Sequence, residues 1–187
     1  MTYRDTTRSL ARQTRDRVQA AHDAYLAGRI GRDELVAVVA TTIAASNANA
    51  YALADRALAD QLATILGREQ VPLGLVPPDD DADRLADATT TALDRHDQEP
   101  SATSTFQPAT AAPAFALARL AFAEPLTAGR DAHQAAMVER DVPGWTRNTG
   151  PDPCELCASL DDGSVLPPGT RMADHPGCAC TAVPVIR

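Results

Sequence analysis

Apolar and polar positions along the first 66 residues recur with the period of a helix. Leu10, Thr14, Val18, Ala21 and Tyr25 follow one another at intervals of four and three, which lines them along one narrow face of a helix over 6–27. Arg8, Arg12 and Arg15 form a second stripe with the same kind of spacing. Gly28 and Gly31 supply a turn, and a longer periodic run begins at Arg32 or Asp33 and reaches Leu66, with Gly67 placed to end it. This run predicts a helix of about 50 Å at 1.5 Å per residue. Its inner stripe reads Leu35, Val39, Thr42, Ser46, Ala50, Leu53 and Ala57, joined by Leu58, Leu62 and Ile65 towards the end. Small residues in the stripe permit close helix approach, while Asn47 and Asn49 mark a candidate kink.

The pattern then breaks. Val71 to Asp83 holds Pro72, Gly74, Pro77 and Pro78 before Asp79, Asp80 and Asp81, a set of helix breakers followed by residues able to cap a helix. A linker is expected there, then a short helix over 85–95 with Asp81 as candidate N-cap and only Leu85 and Leu93 as apolar surface. The Ser/Thr/Pro/Ala-rich stretch 97–113 has too little apolar surface to offset its own ordering entropy, so it reads as a flexible linker or a strap laid over a partner. Ala114–Ala123 reads as a helix with Pro113 at its first position and the densest apolar content of the chain. Pro125 is expected to end or kink it, before a last helix over about 126–140 that carries Leu126, His133, Ala136 and Met137. The fold class expected is mainly α: a helical hairpin over 1–70, a linker with a short helix over 71–113, further helices over 114–147, and a small zinc-stabilised, β-containing module over 148–187. No internal repeat is visible.

Charge changes the picture at the amino terminus. The formal charge of −8 argues against a generic nucleic-acid binder, which needs local positive charge. Residues 1–32, however, hold seven arginines against three aspartates, so this part is +4 and the remainder −12. A basic arm on an acidic protein suggests docking to an acidic partner, with Arg8, Arg12 and Arg15 as the candidate contacts; a solvated helix face is the plainer reading. Lysine is absent, which points to compositional bias. Met1-Thr2-Tyr3-Arg4-Asp5 lacks an apolar stretch behind it, and the most apolar run, Leu35 to Ala45, is too short to span a bilayer, so synthesis in a reducing cytoplasm and no membrane partner are expected.

In that compartment clustered cysteines favour metal over disulfides. All four cysteines lie within 154–180, spaced Cys154-x2-Cys157-x17-His175-x2-Cys178-x-Cys180. A Cys-x2-Cys pair can wrap a knuckle around zinc, because the spacing brings two sulfurs to the roughly 3.8 Å separation that Zn–S bonds near 2.3 Å require in a tetrahedron. His175-x2-Cys178 repeats the spacing with one nitrogen. Cys178 and Cys180 would point to the same face of an extended strand, so either can be the fourth ligand, and the knuckle spacing favours Cys178. The spacer, with Gly163, Pro167, Pro168 and Gly169, reads as a hairpin or tight loop, and 180–186 as a closing edge strand that tolerates Pro184. Two disulfides or unrelated buried thiols are the plain alternative. A catalytic zinc would need an open position and a nearby base; Glu155 and Asp174 are adjacent, but no His-Glu-x-x-His accompanies them. No Gly-x-Ser-x-Gly elbow surrounds Ser159, no glycine-rich phosphate loop is present, and His22, His96 and His133 are scattered. No catalytic residue is therefore assigned.

Gly144-Trp145, Cys154-Glu155-Leu156-Cys157, the turn Leu160-Asp161-Asp162-Gly163, His175-Pro176-Gly177-Cys178-Ala179-Cys180 and Pro184-Val185 together resemble the carboxy-terminal module of the phage Mu F-like minor head proteins, the head morphogenesis family of tailed bacteriophages. The resemblance covers about residues 126–187. It implies a minor capsid protein of the virion, present in few copies, that associates with the portal and major capsid protein during head assembly in the bacterial cytoplasm and contacts packaged DNA during packaging or ejection. It also implies Zn2+ as the bound ion. Some relatives carrying the module are labelled capsid maturation proteases, which makes a protease the alternative reading; an unrelated zinc-knuckle binding module is the third. The family's Arg-Thr-Glu-like triplet before the tryptophan is replaced here by Gly129-Arg130-Asp131-Ala132-His133. Residues 1–125 match no named family.

Overall fold

The computed structural model describes residues 2–98, 111–151, 153–175 and 177–186. In chain order these form α1 (Tyr3–Leu26), α2 (Arg32–Leu66), α3 (Asp81–Gln98), α4 (Ala111–Glu139), β1 (Gly144–Asn148), a one-turn α5 (Glu155–Ser159) and β2 (Thr181–Val185). Mainly helical architecture with a small two-stranded sheet and a carboxy-terminal cysteine cluster is thus what the chain adopts. Most of the expected linker 97–113 lies outside the described residues.

Helix α1 starts with a capping box, the Thr2 hydroxyl accepting from the Asp5 N–H while the Asp5 carboxylate takes the Thr2 N–H. Its buried face is Thr7, Ala11, Thr14, Val18 and His22. Only Thr14 and Val18 of the expected stripe are fully buried; Leu10, Ala21 and Tyr25 are half-buried because the face is turned by one position towards α4. The small side chains allow α1 to close on its neighbours, and the Thr14 hydroxyl donates to that of Ser46 at 2.7 Å in the buried α1–α2 seam.

Helix α2 is the central post, in contact with all three other long helices. It is long and apolar enough to cross a membrane by length and composition, yet Leu35, Val39, Ile43, Ala50, Ala54, Leu58 and Leu62 are buried within the bundle. Ile43 and Ala54 replace Thr42, Leu53 and Ala57 of the expected stripe: the buried series Leu35, Val39, Ile43, Ser46, Ala50, Ala54, Leu58 and Leu62 steps by four at all but one place, where an alternation of four and three was expected, and Ile65 is 48% exposed. Asn47 does not interrupt the helix. Its buried amide donates to Asp81 at 2.9 Å, and Arg84 clasps both Asp81 at 2.7 Å and Glu124 at 2.6 Å, so one polar network ties α2, α3 and α4. Asp81 is the first residue of α3 and works in this network, where a short helix with Asp81 as its N-cap was expected. Gly67, in the left-handed conformation, ends α2 as its position predicts.

Pro125 neither ends nor visibly divides the carboxy-terminal helix. It sits inside a single α4, because a proline removes one ladder hydrogen bond and the packing of α4 along both α1 and α2 outweighs that loss. Pro113 lies in the first turn of α4, where its missing N–H has no helical partner to lose. The helix stops at Asp141, which has φ 50°. The Asp141 N–H reaches Val138 O at 3.1 Å and the Val142 N–H reaches Met137 O at 3.0 Å, a Schellman turn whose hydrophobic partners, Met137 and Val142, share one cluster.

The proline-rich segment after α2 is held by a buried carboxylate. Asp55 accepts the backbone N–H groups of Leu73 at 2.9 Å, Gly74 at 2.7 Å and Leu75 at 3.3 Å. Asp55→Ala is expected to cost about 2–3 kcal/mol, the worth of charge-assisted hydrogen bonds to a buried acceptor. Urea unfolding checks this, and a loss below about 0.5 kcal/mol would show that the strap needs no clamp.

Candidate metal centre

β1 and β2 pair antiparallel with Trp145 opposite Pro184. The other edge of β1 exchanges hydrogen bonds between Trp145 and Leu166 at 2.9 and 2.8 Å, so β1 is the middle of the module although no strand was expected there. Gly144 is required by this approach, as a Cβ would lie 2.9 Å from Leu166 O. The indole N–H donates to Pro167 O at 3.0 Å, and the Gln134 amide of α4 reaches Pro168 O at 3.2 Å and also Thr170 O. Trp145 is fully buried among Leu58 and Leu62 of α2, Met137 of α4, and Cys157, Cys178 and Cys180. The thiols therefore form one wall of a core that the helices complete.

Two turns bring the donors together. Cys154 caps α5, its sulfur accepting the Cys157 N–H at 3.4 Å. The Cys178 N–H closes a turn on His175 O at 2.9 Å, and the Cys178 sulfur accepts the Cys180 N–H at 3.5 Å. Gly177 makes this second turn possible: its φ is +81°, and a Cβ would meet the Phe122 ring of α4 at 3.3 Å. Both half-sites thus show a sulfur cradled by a backbone N–H, as bound thiolates need.

His175 Nε2 lies 3.1 Å from the Cys154 sulfur and 3.3 Å from that of Cys157, and the Cys157 and Cys178 sulfurs are 3.5 Å apart. Cys154, Cys157 and His175 form one group able to hold a metal ion and Cys157, Cys178 and Cys180 another, the donor atoms of each within 4.8 Å of one another. All four cysteines are free thiols. These donor–donor contacts are slightly under the roughly 3.8 Å edge of a zinc tetrahedron, and Cys157 is the corner that the two groups share. Cys154 is exposed and the other three thiols are buried.

The sulfurs differ in proton affinity. The hydrogen bond from the Cys180 thiol, against opposing desolvation, together with the Cys180 N–H holds Cys178 down to about 4. Donating that bond pushes Cys180 upward, burial pushes Cys157 up to about 11, and the Cys157 backbone N–H lowers Cys154.

Arginines bind the module to the helices. Arg130 donates to Cys178 O at 2.6 Å and pairs with Asp174. Arg4 donates to Ala179 O at 3.2 Å and lies against Gly150. Neither could be singled out from sequence, where arginine is the universal base; the chain segment Gly129–His133, which departs from the family triplet, is where α4 meets α1 and the module. There Tyr3 donates to Gly129 O at 3.0 Å and stacks on His133 at 5.5 Å. Of the stripe on α1, Arg8 and Arg12 are exposed and Arg15 pairs with Asp16 at 2.7 Å; Arg8 lines a cavity of about 220 Å³ with Cys154 and His175, whereas Arg12 and Arg15 lie outside it.

Fold and site together define a class: a mainly helical protein carrying a carboxy-terminal Cys/His cluster suited to a metal ion. No protein-family model, curated protein or solved structure matches the chain.

Proposed function

We propose that this chain is a non-enzymatic minor head protein of a tailed bacteriophage, in which a zinc ion held by Cys154, Cys157, His175 and Cys178 clips the carboxy-terminal module to the helical body. Zinc would supply four bonds that replace the hydrophobic area so small a module lacks. The reading is carried by one convergence. The residues on which the resemblance rests, from Trp145 through Cys154 and Cys157 to His175, Cys178 and Pro184, belong to a single packed unit rather than to separate surface loops. Cys178 is the favoured fourth ligand because its sulfur lies 3.5 Å from that of Cys157 and accepts a backbone N–H. The exposed arginines of α1 supply a surface for an acidic partner, the portal, the major capsid protein or packaged DNA.

The test is to locate the protein in purified particles of the encoding phage. A few copies per particle, reduced when Arg8, Arg12 and Arg15 are all replaced by alanine, with coat-protein processing unchanged, is the expected result. Absence from particles, or a processing defect when the metal module is intact, contradicts it.

A further inference from the structure

The knuckle turn His175–Cys178 is a ridge between two basic cavities. On one side a groove of about 540 Å³ runs between α3, α4 and the module, lined by Phe115, Arg119, Arg130, Arg171 and His175 among others. On the other lies the cavity of about 220 Å³ that holds Arg4, Arg8 and Cys154, and both cavities share His175 and Gly177. Among the described residues lining either, Asp174 is the sole acidic side chain, and Arg130 pairs with it. Arg8, Arg12 and Arg119 are exposed and close no ion pair among the described residues; Arg171 is exposed likewise. On a chain of charge −8 this is a local concentration of exposed guanidinium groups, with Asp131 within electrostatic reach of Arg171 and Arg130. Phe115, 66% exposed, stands in the first groove one helical turn from Arg119.

From this arrangement we infer that the surface across the knuckle ridge is a binding track for single-stranded nucleic acid. A backbone would lie over Arg119 and Arg171, cross at Gly177, and continue past Arg4 and Arg8 to Arg12, with a base stacked on Phe115. Guanidinium groups on both sides of the ridge match a polymer of many phosphates better than a short acidic peptide. An exposed aromatic beside them is what a strand with accessible base faces uses. A duplex hides those faces. The inference rests on the metal-clipped module, which forms one wall of both cavities.

The experiment measures fluorescence anisotropy of labelled oligothymidylate of about 20 nucleotides with the metal-loaded full chain, metal content being determined on the same samples. Binding should weaken with salt along a log–log line. The Arg8→Ala/Arg12→Ala and Arg119→Ala/Arg171→Ala pairs should each weaken it about tenfold and lower the salt slope by about 1.4, the share of two single-strand phosphate contacts. Phe115→Ala should weaken binding with the slope unchanged, and Arg56→Ala, remote on α2 and paired with Asp60, should leave it intact. Full metal content with no binding at low salt overturns the track alone, as does a duplex or polyglutamate that binds equally well, or indifference to both arginine pairs. A chain that holds no metal overturns the clip instead.

Discussion

Cys157→Ser should release the bound metal and shift the emission of Trp145 to longer wavelength while leaving most helical circular dichroism in place. Cys157 is common to both donor groups and is buried in the cluster with Trp145, so its loss breaks both groups at once. Metal-binding free energy in small zinc modules is folding free energy, on the order of 10 kcal/mol or more at neutral pH, and serine cannot replace a thiolate. The module has only five-residue strands, β1 and β2, which do not hold together unaided. The long helices keep the contacts α1, α2 and α4 make with one another. Chelation of the native chain should reproduce the spectral shift. Trp145 is the single tryptophan, so the signal reports on this core alone; unchanged emission after complete metal removal would mean the helices hold the module without the ion.

A second large effect is expected at acid pH. His133 is buried, stacked on Tyr3, and its ring nitrogens face the backbone of Ala54 and Ala182 without closing a hydrogen bond of normal geometry. Burial disfavours the imidazolium and lowers its value from 6.5 to about 4. Between those values the unfolded chain binds more protons than the folded one, so stability is fully present above about pH 6.5 and falls as pH drops towards 4. The loss is about 2 kcal/mol by pH 5 and approaches 3 kcal/mol by pH 4. The metal ligands titrate in an overlapping range. The diagnostic quantity is therefore the difference between the pH profiles of melting temperature for the native chain and for His133→Phe, which keeps a ring against Tyr3. The variant profile should be flatter below pH 6.5. Parallel profiles would show that the imidazole reaches solvent or finds a partner.

The helical architecture was legible because long apolar stripes fix helices by period, and Gly67 fixes where α2 ends. The continuity of α4 was not, since Pro125 is a strong local breaker and only the packing of α4 along α1 and α2 overrides it. Asn47 looked like a defect in a hydrophobic run and is instead a buried donor to Asp81, a partner 34 positions away that no local pattern announces. At the site, the spacing pointed to Cys154, Cys157, His175, Cys178 and Cys180, which the fold gathers into two groups that share Cys157. What spacing could not supply was β1, whose pairing is long-range, or the anchoring by Arg4 and Arg130, which appears only when α1 and α4 are laid against the module. Gly177 and Phe122 belong to the same class: the glycine is required by a ring on a different element.

The central claim is that one metal ion is held by four of five clustered donors. Metal content per chain in the native protein, Cys178→Ser and Cys180→Ser, determined by mass spectrometry of the intact folded chain, tests it most directly. One zinc ion in the native protein and in Cys180→Ser, with loss in Cys178→Ser, is the predicted result. A native chain that carries no metal when purified with zinc present, or disulfides in its place, would contradict it.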